Sequence, residues 1–150
     1  MSDEAMSEES VATPPTSFYV IGATFLVWNV IGFLFYLQHA MLSPETAPEG
    51  IDPAMLEFMA ATPVWATSAY AIAVNVGVIA SLLLLLRKSL ARPLFVVSLA
   101  GALVMDIDSF VLRDVVAIFG NGAYIIPTTV IVVGIIEIWY AYSVANRYYR

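Results

Sequence analysis

The sequence predicts an all-α polytopic membrane protein, a bundle of four transmembrane helices, and three observations support this. The 150 residues are 61% hydrophobic and 12% charged, and the mean hydropathy is +0.86. Soluble domains are usually about half apolar and roughly a quarter charged. Four apolar stretches have the roughly 20 residues that a helix needs to cross a hydrocarbon core of about 30 Å. The net charge of −6, with six Lys and Arg, excludes nucleic acid as a partner.

The four predicted spans cover residues 18–42, 64–86, 93–114 and 124–143. Together they form one transmembrane domain over residues 18–147. We expect the preceding acidic tail, residues 1–17, to be disordered because it is rich in Ser, Thr, Pro and carboxylates. An alternative topology omits the third span, which two aspartates interrupt. Because the apolar residues around them return a comparable insertion energy, we retain four spans.

The long connection between the first two spans predicts a short amphipathic helix on the outer side. Asp52 is a suitable N-cap, and Pro53 suits the first helical position. Large apolar residues follow at Met55, Leu56, Phe58 and Met59. We expect this helix to lie on the membrane surface or to cover the bundle. Thr62 and Pro63 carry the same start signal for the second span.

The positive charges predict the orientation. Arg87, Lys88 and Arg92 lie between the second and third spans, and Arg147 and Arg150 follow the fourth. The first connection contains no Lys or Arg. Because cytoplasmic loops carry the excess of Lys and Arg, we expect both termini to be cytoplasmic in a multi-pass protein of the inner (plasma) membrane.

Small and amide side chains indicate how the helices pack. Asn29 and Asn75 lie at similar mid-membrane depths, so we expect an interhelical hydrogen bond between them. The second span also repeats a small residue at every fourth position: Ala69, Ala73, Gly77 and Ser81. Such a face favours close helix packing, either within the monomer or between copies.

The third span contains the ionisable residues of a candidate polar or ion site. Arg113 follows Asp106 by two helical turns on the same face, so we expect it to compensate that carboxyl group. Asp108 points about 200° away from Asp106. Gln38 and His39 of the first span reach the same outer level. These residues form either a functional cluster or a set of interface residues that hold the helix end.

Glu137 in the fourth span is the second intramembrane acid. It either pairs with Arg87, Lys88 or Arg92 at the inner interface, or forms one end of a proton or cation path whose outer end is Asp106. The two acids differ in depth by roughly 10–15 Å. Water or other side chains would have to connect them.

The sequence lacks the residues of an enzyme site. It has no cysteine and a single histidine, which excludes thiol nucleophiles, iron–sulfur clusters and thiolate zinc sites. It contains no P-loop, nucleophile elbow or zinc-protease motif. We therefore predict no catalytic residues, no cofactor and no metal.

Several short motifs resemble a small family of uncharacterised bacterial inner-membrane proteins with four predicted spans. The motifs are Val27-Trp28-Asn29-Val30-Ile31-Gly32, Ala61-Thr62-Pro63-Val64-Trp65, Leu82 to Leu86 followed by Arg87-Lys88, and Arg92-Pro93-Leu94-Phe95. The resemblance covers about residues 18–147 and implies the same four-span architecture. Some members carry the label "sugar transporter". The family supplies no binding or catalytic residues.

Two functional hypotheses follow. The first is a noncatalytic accessory or scaffold subunit, or a self-associating one, whose partners are the lipid bilayer and either a second copy or a larger membrane complex. The alternative is a small proton- or cation-coupled solute transporter or channel that uses Asp106 and Glu137.

Overall fold

The computed structural model describes residues 12–43 and 45–149. In these residues the regular structure is entirely helical. The α-helices are α1 (Thr16–Met41), α2 (Pro53–Ala60), α3 (Val64–Leu85), α4 (Ala91–Asp106), α5 (Val115–Phe119) and α6 (Ile125–Tyr148). A π-helix, Ile107–Leu112, continues α4, and a 3₁₀-helix, Asn121–Tyr124, leads into α6. Most of the predicted disordered tail, residues 1–11, lies outside the described residues.

Four of the helical segments are long and apolar enough to cross a membrane: α1, α3, α4 with its π-helical continuation, and the segment that ends with α6. This confirms the predicted all-α bundle of four transmembrane helices.

The long helices form a row with alternating directions. α1 packs along α3, α3 along α4, and α4 along α6. Phe18 near the start of α1 meets Tyr148 at the end of α6, with ring centroids 5.5 Å apart. We call this the terminal end of the bundle. At the opposite end, the α2 end, Phe58 of α2 meets Phe119 of α5 at 5.8 Å.

The hydrophobic core lies toward the terminal end. Its buried members are Phe18, Phe25, Ala80, Leu84, Ala91, Phe95, Ala141 and Val144. Phe25 of α1 packs edge to face on Phe95 of α4 and on Tyr140 of α6, with centroids 6.3 and 5.7 Å apart. These aromatic contacts join α1 to α6 and close the terminal half of the bundle.

The small-residue face of α3 packs within the chain. A Cβ atom added to Gly101 of α4 would lie 2.8 Å from the carbonyl oxygen of Ala69 and 3.1 Å from the Cβ of Ala73. Ser98 of α4 donates a hydrogen bond to the carbonyl oxygen of Ala73 at 2.7 Å. Close backbone approach and an interhelical hydrogen bond therefore hold α3 against α4.

The α2 segment begins as its sequence predicts. Asp52 Oδ1 accepts a hydrogen bond from the Ala54 amide at 2.9 Å, and Pro53 is the first helical residue. The corresponding prediction for α3 is wrong, because Pro63 is the N-cap and no side chain caps the helix. Thr62 instead donates its hydroxyl hydrogen bond to the carbonyl oxygen of Phe58 at 3.3 Å.

Candidate functional site

A cavity of about 730 Å³ lies between the two outermost helices of the row, α1 and α6. Residues of α3 and α4 form its back wall, and residues of α2 line it at one end. Most of the lining is apolar, and its larger side chains include Trp28, Phe35, Met55, Phe58, Tyr70 and Met105. The cavity extends from Glu137, in the middle of α6, to the α2 end of the bundle.

A buried carboxyl group lies at the deep end of this cavity. Glu137 is 4% exposed and Asn29 is 8% exposed. The Asn29 side-chain amide donates to Glu137 Oε1 at 2.6 Å and to Ser81 Oγ at 3.1 Å. The Ser81 hydroxyl donates in turn to the carbonyl oxygen of Gly77 at 2.9 Å. A polar network therefore joins α1, α3 and α6 in the middle of an apolar bundle.

The structure does not pair Asn29 with Asn75, contrary to the sequence-based expectation. Asn75 is exposed, and its side-chain amide donates to the carbonyl oxygen of Ala71 in its own helix at 2.8 Å. Asn75 follows Ala73 by two residues, about 200° around the helix. Because the small face with Ala73 packs inward, Asn75 faces outward.

Gly77 makes room for the Asn29 carboxamide. A Cβ atom at Gly77 would clash with Asn29 Oδ1 and lie 2.9 Å from Ser98 Oγ. Only glycine fits here without a shift of one of these polar groups. The four-residue spacing places Gly77 on the small face of α3, but spacing cannot reveal which side chain occupies the space beside it.

Glu137 keeps one oxygen free of protein hydrogen bonds. Among residues 12–43 and 45–149, Oε1 accepts from Asn29, and Oε2 has no hydrogen-bond partner. Glu137 itself lines the cavity, and no Lys or Arg of the described residues does so. Among the described residues, the alternative pairing of Glu137 with Arg87, Lys88 or Arg92 is not found. Arg92 instead lies over the rings of Tyr142 and Tyr149, 5.5 and 5.8 Å from their centroids.

Arg113 joins α2 to the end of the α4 segment. Its Nε donates to Asp108 Oδ2 at 2.7 Å, its Nη1 donates to the carbonyl oxygen of Phe58 at 2.6 Å, and its Nη2 donates to Thr62 Oγ1 at 3.1 Å. The guanidinium carbon also lies 3.9 Å from the Phe58 ring centroid. This set of contacts, which we call the Arg113 clamp, fixes α2 at its C-terminal end.

The partner of Arg113 is Asp108, so the prediction of Asp106 is wrong. The π-helix explains the difference, because its hydrogen bonds join residues five apart. The Arg113 amide donates to the carbonyl oxygen of Asp108 at 3.0 Å. Asp108 is 1% exposed. Asp106 lies two residues earlier, about half a helical turn away, and its Oδ2 is buried without a hydrogen-bond partner among the described residues.

The predicted five-residue cluster is therefore divided. Gln38 and His39 line the cavity toward the α2 end, and the His39 ring packs edge to face on Tyr70 at 5.9 Å. Within the described part of the chain, no hydrogen bond joins either residue to Asp106, Asp108 or Arg113. Asp106 does not line the cavity. The site that the structure assembles is centred on Glu137 and Asn29.

Comparison with known proteins adds no assignment. No protein family, no curated protein and no solved structure matches this chain. The resemblance described above therefore stays a prediction. The cavity and the polar network of Glu137, Asn29 and Ser81 are the features that bear on function.

Proposed function

We propose that the protein is a small-solute transporter that binds a mainly apolar solute in the cavity between α1 and α6. The supporting observation is the cavity itself, about 730 Å³, with the Glu137 carboxyl group and the Asn29 amide at its deep end. Sites for small molecules are typically 300–1,000 Å³, mostly apolar, with a few polar groups that orient the ligand. Ionisable residues inside membrane spans typically mark substrate or ion paths.

This proposal develops the second hypothesis of the sequence analysis and changes its residues. Glu137 carries it, and Asp106 has no part because it does not line the cavity. The small face of α3, one candidate interface between copies, packs against α4 within the chain and so does not favour self-association through that face. A sugar is a poor fit to this lining, because its many hydroxyl groups would need hydrogen-bond partners that apolar walls do not supply.

We further propose that the protein lies in the plasma (inner) membrane with its terminal end cytoplasmic. Arg87, Lys88, Arg92 and Arg147 all lie at or beside helix ends on this side, whereas the α2 end carries Glu49, Asp52 and Glu57. The cavity then faces away from the cytoplasm. A reporter enzyme fused after the last residue should show cytoplasmic activity, and one inserted after Gly50 should not. The reverse pattern would overturn this orientation.

Binding in the cavity can be tested with a pair of neighbouring threonines. Both threonines are exposed on α6, but Thr129 lines the cavity and Thr128 does not. Thr129→Phe should fill the cavity and weaken saturable binding of the neutral fluorophore N-phenyl-1-naphthylamine to protein in nanodiscs, with empty nanodiscs subtracted. Thr128→Phe should bind as the wild type does. Equal binding by the two variants, or no saturable binding by the wild type, would contradict the proposal.

Transport requires that the cavity be reachable from both sides of the membrane. The chain has no cysteine, so single cysteines report access without background. Ser98→Cys places a thiol in the cavity wall, and Ala100→Cys places one on the exposed face of the same helix. A membrane-impermeant maleimide should modify the cysteine at 98 from either side, and the cysteine at 100 from neither. Modification from one side only would indicate a binding protein that does not transport.

A further inference from the structure

We propose that the solute of this cavity is a lipophilic monocation, whose positive charge lies beside Glu137 and whose apolar body lies along the walls. Protonated amines, quaternary ammonium ions and phosphonium ions with aromatic or aliphatic substituents belong to this class. This inference rests on the proposed function and names the charge of the solute, which the cavity alone does not specify.

The charge of the cavity lining favours a cation. Glu137 is the only acid among the described lining residues, and no Lys or Arg accompanies it. The other titratable lining residues are His39 and Tyr70, which lie together toward the α2 end. Burying a carboxylate without a cation is costly, and a positive ligand compensates that cost where the protein does not. An anionic solute would meet no compensating charge.

The fixed orientation of the Glu137 carboxyl group also favours a cation. Asn29 holds Oε1 of Glu137 at 2.6 Å and is itself held by Ser81, while Gly77 leaves space for the carboxamide. The carboxyl group is therefore fixed before a solute arrives, and Oε2 stays free of protein partners within the described residues. A fixed acceptor loses little entropy on binding, so its interaction with a cation contributes more fully to affinity.

The aromatic cavity walls favour an organic cation. Trp28, Phe35, Phe58 and Tyr70 line the cavity. Aromatic faces attract organic cations electrostatically and also bury apolar surface, so they suit a bulky monocation better than an inorganic ion. The Phe58 ring already contacts the Arg113 guanidinium carbon, 3.9 Å from its centroid, and Arg113 is also engaged by Asp108 and Thr62. The rings of Trp28, Phe35 and Tyr70 therefore remain for the solute.

The count of acids indicates one charge. Asp108 is paired with Arg113, and Asp106 does not line the cavity. A dication would leave its second charge without a partner in an apolar wall, which is unfavourable.

Three probes of similar shape and different charge test the inference. Tetraphenylphosphonium is a cation, tetraphenylborate is an anion, and triphenylphosphine oxide is neutral. Equilibrium dialysis against protein in nanodiscs, with empty nanodiscs subtracted, gives the saturable binding of each. We expect the cation to bind at least about tenfold more tightly than the neutral probe, and the anion to show no saturable binding.

The variants assign that preference to Glu137. Glu137→Gln should reduce the affinity for tetraphenylphosphonium about tenfold or more and leave triphenylphosphine oxide unchanged. Glu137→Asp, which keeps the charge, should retain a preference for the cation. Asp106→Asn is the matched control, since it removes an intramembrane acid outside the cavity, and it should change neither affinity.

Each outcome decides between the two proposals. Equal affinity of the wild type for the cation and the neutral probe would overturn the monocation and leave the proposed function in place. A cation preference that survives Glu137→Gln would also overturn it. If Glu137→Gln does not fold, the test uses the ratio of cation affinity to neutral-probe affinity in the wild type and in Glu137→Asp. A preference for the cation in both supports the monocation, and equal affinities for the two probes overturn it. Absence of saturable binding for all three probes would overturn both proposals.

Discussion

Removing Arg113 should destabilise the bundle mainly through the acid that it leaves behind. Asp108 is 1% exposed, and the Arg113 side chain is 16% exposed, so the pair is largely shielded from water. Breaking a buried ion pair by deleting one partner costs about 3–5 kcal/mol, because the remaining charge is uncompensated. Arg113→Ala should therefore lower the free energy of unfolding by roughly this amount.

The double variant with Asp108→Asn separates the ion pair from the rest of the clamp. It removes both charges, so much of the loss should be recovered. It does not restore the hydrogen bonds to Phe58 and Thr62, each worth about 0.5–1.5 kcal/mol. We expect the double variant to stay less stable than the wild type and to show a coupling free energy of about 1–3 kcal/mol between positions 108 and 113.

The assay is equilibrium unfolding in mixed micelles of increasing SDS mole fraction, followed by circular dichroism. A second cycle, with Asp106→Asn in place of Asp108→Asn, is the control, because the structure places no hydrogen bond between Asp106 and Arg113. Its two changes should be additive within about 0.5 kcal/mol. Additivity in the Asp108 cycle, or strong coupling in the Asp106 cycle, would refute the argument from the π-helix.

Two further predictions use matched residues in the same assay. Gly77→Ala should lower the free energy of unfolding by about 1–3 kcal/mol, because the added methyl group would displace the Asn29 carboxamide. At Gly32 an added methyl group would meet only Val74 Cγ1, at 3.9 Å. Gly32→Ala should therefore be neutral or stabilise α1 by up to about 1 kcal/mol. A similar loss in both would refute the steric argument. Asn29→Ala should cost about 1–3 kcal/mol because it removes a buried donor, whereas Asn75→Ala should stay within about 0.5 kcal/mol. An equal effect of these two would contradict the assigned network.

The transmembrane architecture could be predicted because its signal is local. A span needs a run of apolar residues of sufficient length, and α1, α3 and the α4 segment end within a few residues of the predicted limits. The start of α2 was predictable for the same reason, since Asp52 and Pro53 act within one helical turn. These features depend on neighbouring residues in the chain and on the thickness of the bilayer.

The partners within the site depend on tertiary structure and were not predictable from spacing. Asn29 and Glu137 are 108 residues apart, and their contact depends on how α1 and α6 are rotated about their axes. Depth alone suggested Asn75 as the partner, because it gives the level of a residue but not the face that it occupies. The predicted fourth span ended at residue 143, whereas α6 continues to Tyr148, so the prediction placed Glu137 closer to the inner interface than Asn29.

The Arg113 clamp shows a different limit. An ideal α-helix brings residues seven apart onto one face, which favoured Asp106 as the partner of Arg113. The wider π-helical turn instead brings Asp108, five residues earlier, into contact. Thr62 was predicted as a helix cap, but it is used as an acceptor for the same guanidinium group. One local change in helix geometry therefore accounts for much of the misassigned site.

The π-helix of residues 107–112 also gives the chain a place where its length can change by one residue. A π-turn holds one residue more than an α-turn, so deletion of one residue between Asp108 and Arg113 would let the segment close to regular α-helix. Arg113 would then follow Asp108 by four residues, which lie on the same face of an α-helix, so the ion pair and the hydrogen bond to the carbonyl oxygen of Phe58 should persist. Relatives of this protein that keep the cavity should therefore include chains that are one residue shorter in this segment.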